Sequence, residues 1–541
     1  MAGERPGARV RVLMDAVPEH LERWRRGDPD LAPLYAGFPP EETPRLPGKA
    51  ATIAPSLFEG IALRSGGENA PEGARANLAR INGKKTKFVA AGHQPCVLLG
   101  PLLALYKMLT LRAVVEKTPK PDGGGPVPLF WIASHDADRG EAEGATLIDA
   151  GGDARRLRAP FRDAPARARL GALRIDPAGW RSFLGEAAAL LPPGPHKDDL
   201  FERLRAAVPE ETGATDLFVR TARAFVPELP LLFLDGRDAE SVPEGRRVLA
   251  AAARDPRGVH AAIEKGARLA AEAGLPILLP VEPDRPPFFL VEDETRIPLR
   301  FDGGRFHPEG GNPMEPAALA ERIEEGTVRA TPAAALRPVL QDAVLPVAAY
   351  AAGLSELIYH AALGPLYAAL GVERAPLFPR AGFYLLPERI ADRLENIGVT
   401  PEEILAGREK APDPPELAGS AKRFRERIAE ETAVFLGEAD RLAPGAVPPD
   451  DPARNRVARE AERAADRVLR FADRAGDNRR NLIHRARSAL LPGGKPQETV
   501  LSPIGPFARF GPGLADLLTG AIRPGDGAPR LVVPGGGGPI R

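Results

Sequence analysis

The residues best placed to do chemistry sit where apolar runs end. Lys87-Phe88-Val89-Ala90-Ala91 reads as a buried strand that runs into Gly92-His93-Gln94-Pro95, with a helix expected from about Leu99 to Lys117. A helix N-terminus carries free N–H groups and a positive dipole end, which suits a phosphate. Gly92 would allow close backbone approach, and His93 and Gln94 could bond phosphate or sugar oxygens. The loop is neither a Walker A sequence nor GxGxxG. A tight turn with a capping histidine is the alternative. A second run, Val127 to Ala133, ends in Ser134-His135-Asp136-Ala137-Asp138. Acids at a strand end can hold Mg²⁺ or an amino group, and a histidine there can shuttle protons. The competing reading is a helix N-cap, with Asp side chains on orphan N–H groups. Glu141 and Glu143 continue the acidic run, which fits a solvated face.

Asp235 ends a third apolar run and points to the same rim. Gly353, Ser355, Glu356, Tyr359 and His360 cluster after a fourth, and the i, i+4 spacing lets Glu356 pair with His360. Arg380 follows a fifth and could grip a carboxylate or phosphate. Cys96 lies in the first loop, where a helix end could lower its pKa; a small buried apolar role is the simpler reading. With no HExxH and no cysteine pair, zinc is not expected. A single cysteine excludes a disulfide framework and an iron–sulfur cluster.

These strand ends need a scaffold that brings them together. Apolar strands separated by helical stretches predict an α/β protein with a mainly parallel sheet. Phe288–Val291 and Arg296–Leu299 read as a hairpin around Glu292 to Thr295, and 151–226 reads as mostly helical. Toward the C-terminus the pattern changes. Leu417, Ala421, Phe424, Ile428, Phe435, Ala439 and Leu442, then Val457, Ala461, Ala464, Val468, Phe471, Ala475, Leu482 and Ala489, follow 3,4 spacing across a proline-rich break at 444–452. That predicts a coiled-coil hairpin.

Bulk composition narrows the function classes. The 541 residues hold 60 Pro and 56 Gly, but 43% are hydrophobic, as in a folded chain. Lys+Arg and Asp+Glu are both 73, so no net charge favours nucleic acid or an anionic membrane. The N-terminal stretch lacks the apolar region of a secretory signal, and charges interrupt the apolar runs before about 18 residues. A soluble, cytoplasmic protein without membrane or nucleic-acid partners is expected.

Five segments, in order, carry a resemblance. Ala91-Gly92-His93-Gln94-Pro95 with Gly100-Pro101 and Tyr106-Lys107 resembles the first motif of the bacillithiol biosynthesis cysteine-adding enzymes, the BshC family. Pro128 to Ala133 before the acidic cluster resembles the second, and Leu336 to Asp342, with Leu345-Pro346, Tyr350, Gly353, Glu356 and Tyr359, the third. Pro379-Arg380 matches a fourth, and Gly494-Lys495-Pro496-Gln497-Glu498 with Val500-Leu501 and Phe510-Gly511 the C-terminal motif. The second motif departs from the family's E-D-H-D: His135 stands at the acid and Ala137 at the histidine. The family's later Asn-His is Glu143-Gly144, and its Q-E-R ends in Thr499.

The resemblance implies a Rossmann-like core related to class I aminoacyl-tRNA synthetases and nucleotidyltransferases, and a helical coiled coil for homodimerisation. It implies ATP-dependent, ligase-type joining of the L-cysteine carboxyl group to the amine of glucosaminyl malate, with Mg²⁺ accompanying ATP or another nucleotide. The expected partners are therefore small molecules, an amino acid and an amino sugar, and a second copy of the chain. The candidate catalytic set is His93, His135, Asp136 and Asp138. Gly92, Gln94, Lys107, Asp235, Ser355, Glu356 and Arg380 form the candidate binding set, with no protein-bound metal. The altered second motif keeps two other readings open: a non-catalytic nucleotide- or metabolite-binding dimeric scaffold, and a nucleotidyltransferase. The expected domains are a 1–390 core with insertions near 151–226 and 280–335, a 391–490 helical arm, and a 491–541 segment returning to the core.

Overall fold

The computed structural model describes residues 8–14, 17–35, 50–118, 125–279, 282–409, 414–445, 448 and 456–535. Its centre is a five-stranded sheet, all parallel: β1 (Phe88–His93), β2 (Val127–Ile132), β3 (Leu232–Asp235), β4 (Val347–Ala352) and β5 (Leu377–Pro379). In space the order is β5-β4-β1-β2-β3. Chain order therefore reverses between β1 and β4, and ligands of such sheets bind in the crevice at that switch, beyond the strands' carboxyl ends. The expected α/β, Rossmann-like, mainly parallel core is what the chain builds.

The apolar strand runs follow from burial on both faces. Along β2, Val127, Leu129 and Trp131 join one core cluster with Leu57, Ile61, Leu249 and Val339, while Phe130 and Ile132 join the other. That second cluster contains Leu102, Leu105, Met108 and Leu109 of helix α1 (Leu102–Lys117), which is buried nearly all round.

Helix α1 starts later than expected. Leu98 and Leu99 adopt positive φ, a short 3₁₀ turn spans Val97–Leu99, and regular helix begins at Leu102. Its first N–H donates to the Leu501 carbonyl, 2.8 Å away. That N–H is thus taken by the chain itself. Gly92 has another reason to be glycine: a Cβ there would lie 2.9 Å from the Trp131 carbonyl oxygen of β2.

The hairpin forms as Phe288–Glu292 paired with Thr295–Ile297. Segment 151–226 is less helical than its periodicity predicts. Ala154–Arg158 pairs with Gly144–Ile148, and Arg174–Ile175 with Thr212–Gly213, between helices Pro177–Leu190, Lys197–Ala206 and Ala214–Phe225. Only Leu157 of Ala154–Arg158 is buried, so its arginines hide the strand's alternation. Near the C-terminus, Arg530–Val533 lies between Arg9–Val12 and Phe383–Leu385.

The chain divides into two compact units: Met1–Leu386 with Ala489–Arg541, and Pro387–Ser488. The second holds two long helices, α3 (Pro414–Leu442) and α4 (Arg456–Leu490, whose last two residues belong to the first unit). Arg425 on α3 and Asp466 on α4 approach to 3.7 Å. Ala421 and Leu482 are buried, whereas Phe424, Phe435, Leu442 and Val468 are exposed. Of the expected seam, the side chains of Leu417, Val457, Phe471 and Ala475 lie outside the described residues, as does most of the break at 444–452. Among the described residues, no helix is long and apolar enough to cross a membrane.

Candidate active site

A cleft of about 650 Å³ opens at the switch between β1 and β4. Strand ends supply Gly92, His93 and Gln94 after β1, His135 and Asp136 after β2, Gly353, Ser355 and Glu356 after β4, and Arg380 after β5; Lys107 enters from α1. These predicted residues share one wall system, as the rim argument requires.

At its floor, the Lys107 ammonium donates to the Gly92 carbonyl at 2.6 Å and pairs with Glu356 at 2.6 Å. Glu356 opens helix α2 (Leu354–Ala361) and accepts the Gly353 N–H at 2.6 Å and the Tyr350 hydroxyl at 2.8 Å. Burial alone would raise this carboxyl, but Lys107, Arg337 and the Gly353 N–H outweigh it and hold its pKa at about 2. Glu356 is thus a fixed anion. It pairs with Lys107 and not with His360, which is buried and stacks on Tyr350 at 5.6 Å.

His93 closes β1. Its Nδ1 lies 3.2 Å from the Gln94 carbonyl oxygen and its Nε2 lies 3.7 Å from Glu141. Burial, with Lys107 nearby, pushes the imidazole down to about 4, so it is neutral at pH 7. His135 is buried and pushed to about 3 by desolvation and Arg296. Asp136 accepts from Gln94 at 2.6 Å and from Arg296 at 3.0 Å; burial opposes ionisation, but Arg296 keeps the carboxyl below its ordinary value.

Two predicted residues stand apart from the cleft. Asp138 caps the short helix Arg139–Ala142 by accepting from the Glu141 N–H at 3.2 Å. Asp235 is fully buried, accepts from Ser134, and pairs with Arg237 at 2.7 Å. Burial raises its carboxyl, but Arg237 and Ser134 bring it to about 2. It ties the β2 and β3 ends together and does not line the cleft.

Arg296, Arg337, Glu141 and Glu498 complete the walls. Arg296 comes from the hairpin, whose turn residues Asp293 and Glu294 have φ of 45° and 60°. Left-handed backbone without glycine is costly, and here ion pairs hold it: fully buried Arg169 bridges Glu240 at 2.8 Å and Glu294 at 2.6 Å. Arg337 donates to Gln341 at 3.2 Å and lies 3.4 Å from the Tyr359 hydroxyl. Glu498, within the C-terminal motif, receives Arg380 bidentately at 2.7 and 2.8 Å. In an arginine-rich chain nothing marked Arg296. Arg337 and Glu498 were marked only by lying inside motif segments.

Five cleft side chains keep a buried polar atom without a protein partner: Gln94 Oε1, Trp131 Nε1, His135 Nδ1, Arg296 Nε and Arg380 Nε. Buried polar groups are normally satisfied, and these five lie within the walls of the cleft, two of them, Trp131 Nε1 and His135 Nδ1, against Gly236.

The strand order, with a charged cleft at its switch point, defines a Rossmann-type α/β protein. The sequence profile described as "Bacillithiol biosynthesis BshC, N-terminal Rossmann-like domain" matches residues 48–381. The chain belongs to this BshC family. It is 31% identical over 490 residues to a Thermus thermophilus protein named "Putative cysteine ligase BshC", covering 88% of this chain and 91% of that one. Proteins of the same name from Salinibacter ruber and Symbiobacterium thermophilum are 25% and 27% identical, covering 85% and 84% of this chain and 85% of each relative.

Proposed function

We propose that the protein is a carbon–nitrogen ligase that joins the carboxyl group of L-cysteine to the amine of glucosaminyl malate, as in the last step of bacillithiol synthesis. The observation that carries this reading is a cleft at the sheet's switch point lined by four cationic side chains, Lys107, Arg296, Arg337 and Arg380. The names of the relatives direct it to cysteine.

A carboxylate is a poor electrophile, so its oxygen must first be joined to phosphorus. One carboxylate oxygen attacks ATP, which loses diphosphate or ADP. The amine nitrogen then attacks the acyl carbon and expels the phosphorylated oxygen as AMP or phosphate. Mg²⁺ accompanying the nucleotide would neutralise phosphate charge, while Asp136 and Glu356 remain engaged by Arg296 and Lys107. The guanidinium groups of Arg296 and Arg380 on the cleft wall suit developing negative charge on phosphate oxygens, where preorganised donors act most strongly. Neutral His135, on the cleft wall, can take the proton that the attacking amine must lose.

The direct test incubates the full chain with L-cysteine, glucosaminyl malate, ATP and Mg²⁺, with products read by mass spectrometry. A thiol product one water lighter than the two substrates combined supports the reading. No product and no nucleotide turnover refutes it.

A further inference from the structure

The lone cysteine has company. Cys96 is buried three residues after His93, its Sγ 3.9 Å from the His93 ring, and Glu141 reaches the other side of that ring. One ligand atom from each of the three lies within 4.8 Å of the other two. We propose that His93, Cys96 and Glu141 bind a zinc-type divalent cation whose open position faces the cleft and takes a substrate thiolate.

The donor set argues for the metal class. One nitrogen, one sulfur and one carboxylate oxygen match borderline-soft Zn²⁺, whereas Mg²⁺ and Ca²⁺ prefer oxygen alone. Bonds of about 2.0–2.3 Å in a tetrahedron put ligand atoms roughly 3.5 Å apart. Glu141 is 43% exposed on a short helix, so its side chain has room to close the remaining gap. Three protein ligands and one open position are the pattern of a working, not a structural, zinc site.

Electrostatics agree. Burial, then Glu141, Asp138 and Asp136, hold the Cys96 thiol well above its ordinary value, so without a cation it stays protonated. A divalent ion reverses that balance: sulfur binds the metal and the thiol proton leaves to solvent. His93 is already the neutral imidazole that a metal requires. His93 and Glu141 line the cleft, so the fourth position points there.

That this position takes a thiolate rests on the cysteine-ligase reading; the metal site rests on geometry. The test titrates Co²⁺ into metal-free, tag-free full chain. One equivalent should give a thiolate-to-cobalt absorption band, which can come only from Cys96 because the chain has one cysteine. C96S should abolish the band, and E141Q should weaken cobalt binding at least tenfold, both with unchanged circular dichroism. L-Cysteine, and not L-serine, should then intensify the band. No band with the wild-type chain, or a band that survives C96S, overturns the metal site. A band indifferent to L-cysteine overturns only the thiolate claim. Cobalt binding without ligase product would count against the ligase reading and leave the metal site standing.

Discussion

Lys107 and Glu356 meet at 2.6 Å across the switch point, one from the helix after β1 and the other from the helix after β4. Both are largely buried, with side-chain exposures of 5% and 16%. The contact locks the two halves of the sheet around the cleft floor. Removing one partner leaves a buried charge unpaired, so Lys107→Met should cost about 3–5 kcal/mol. The paired change Lys107→Met with Glu356→Met should cost less than the sum of the singles. Trp24, Trp131 and Trp180 all lie in the first compact unit, so fluorescence-monitored urea unfolding reports on it. Full additivity of the two changes would show that the pair is not coupled.

Arg296 should matter for binding more than for folding. Its guanidinium is partly buried at the cleft wall, where it pairs with Asp136. Losing a charged hydrogen bond of about 1.5–3 kcal/mol predicts a rise of roughly ten- to a hundredfold in KM for Arg296→Ala. Steady-state kinetics with an unchanged circular dichroism spectrum checks it; an unchanged KM removes Arg296 from the site.

Arg380 and Glu498 form a bidentate pair between the β5 end and the C-terminal motif. Lysine cannot reproduce the planar fork. Arg380→Lys should lower stability by about 1–2 kcal/mol despite retained charge, measured by the same unfolding experiment. A neutral outcome would mean the fork geometry is irrelevant.

The two cleft histidines set a pH dependence. Their folded values of about 4 for His93 and about 3 for His135 lie below the ordinary 6.5. Between those values the unfolded chain binds protons that the folded chain refuses, so stability rises with pH in this window and is lost as pH falls. Replacing both with glutamine should narrow the wild-type-to-variant difference on going from pH 7 to pH 5. A difference independent of pH would contradict the neutral, buried assignment.

Much of this was legible in the sequence, for a physical reason. Strands buried on both faces read as unbroken apolar runs, so β1, β2, β3 and β4 and the polar residues at their ends stand out. What was hidden depends on long-range packing. The start of α1 is set by the strained turn at Leu98 and Leu99 and by the carbonyl of Leu501, near the other end of the sequence. Asp235 looks like a rim acid by position, yet Arg237 and Ser134 enclose it. Arg296 reaches the cleft only because Arg169 and Glu294 fix the hairpin, and no local pattern encodes that.

The helical arm bears on assembly. Phe424, Val434, Phe435, Leu442 and Val468 are exposed on α3 and α4, and we propose that a second copy of the chain covers them. Light scattering at micromolar concentration should give a dimer mass, and Phe435→Glu should shift it toward monomer. A monomeric wild-type chain would refute self-association through this face.

The central claim, that this cleft joins cysteine to an amino sugar, is tested most directly by product mass spectrometry on wild-type and His93→Ala protein supplied with L-cysteine, glucosaminyl malate, ATP and Mg²⁺. The account predicts a condensed thiol product from the wild type and a loss of at least tenfold in the variant, whose fold is retained. No condensed product from the wild type, or the same yield from both, would contradict it.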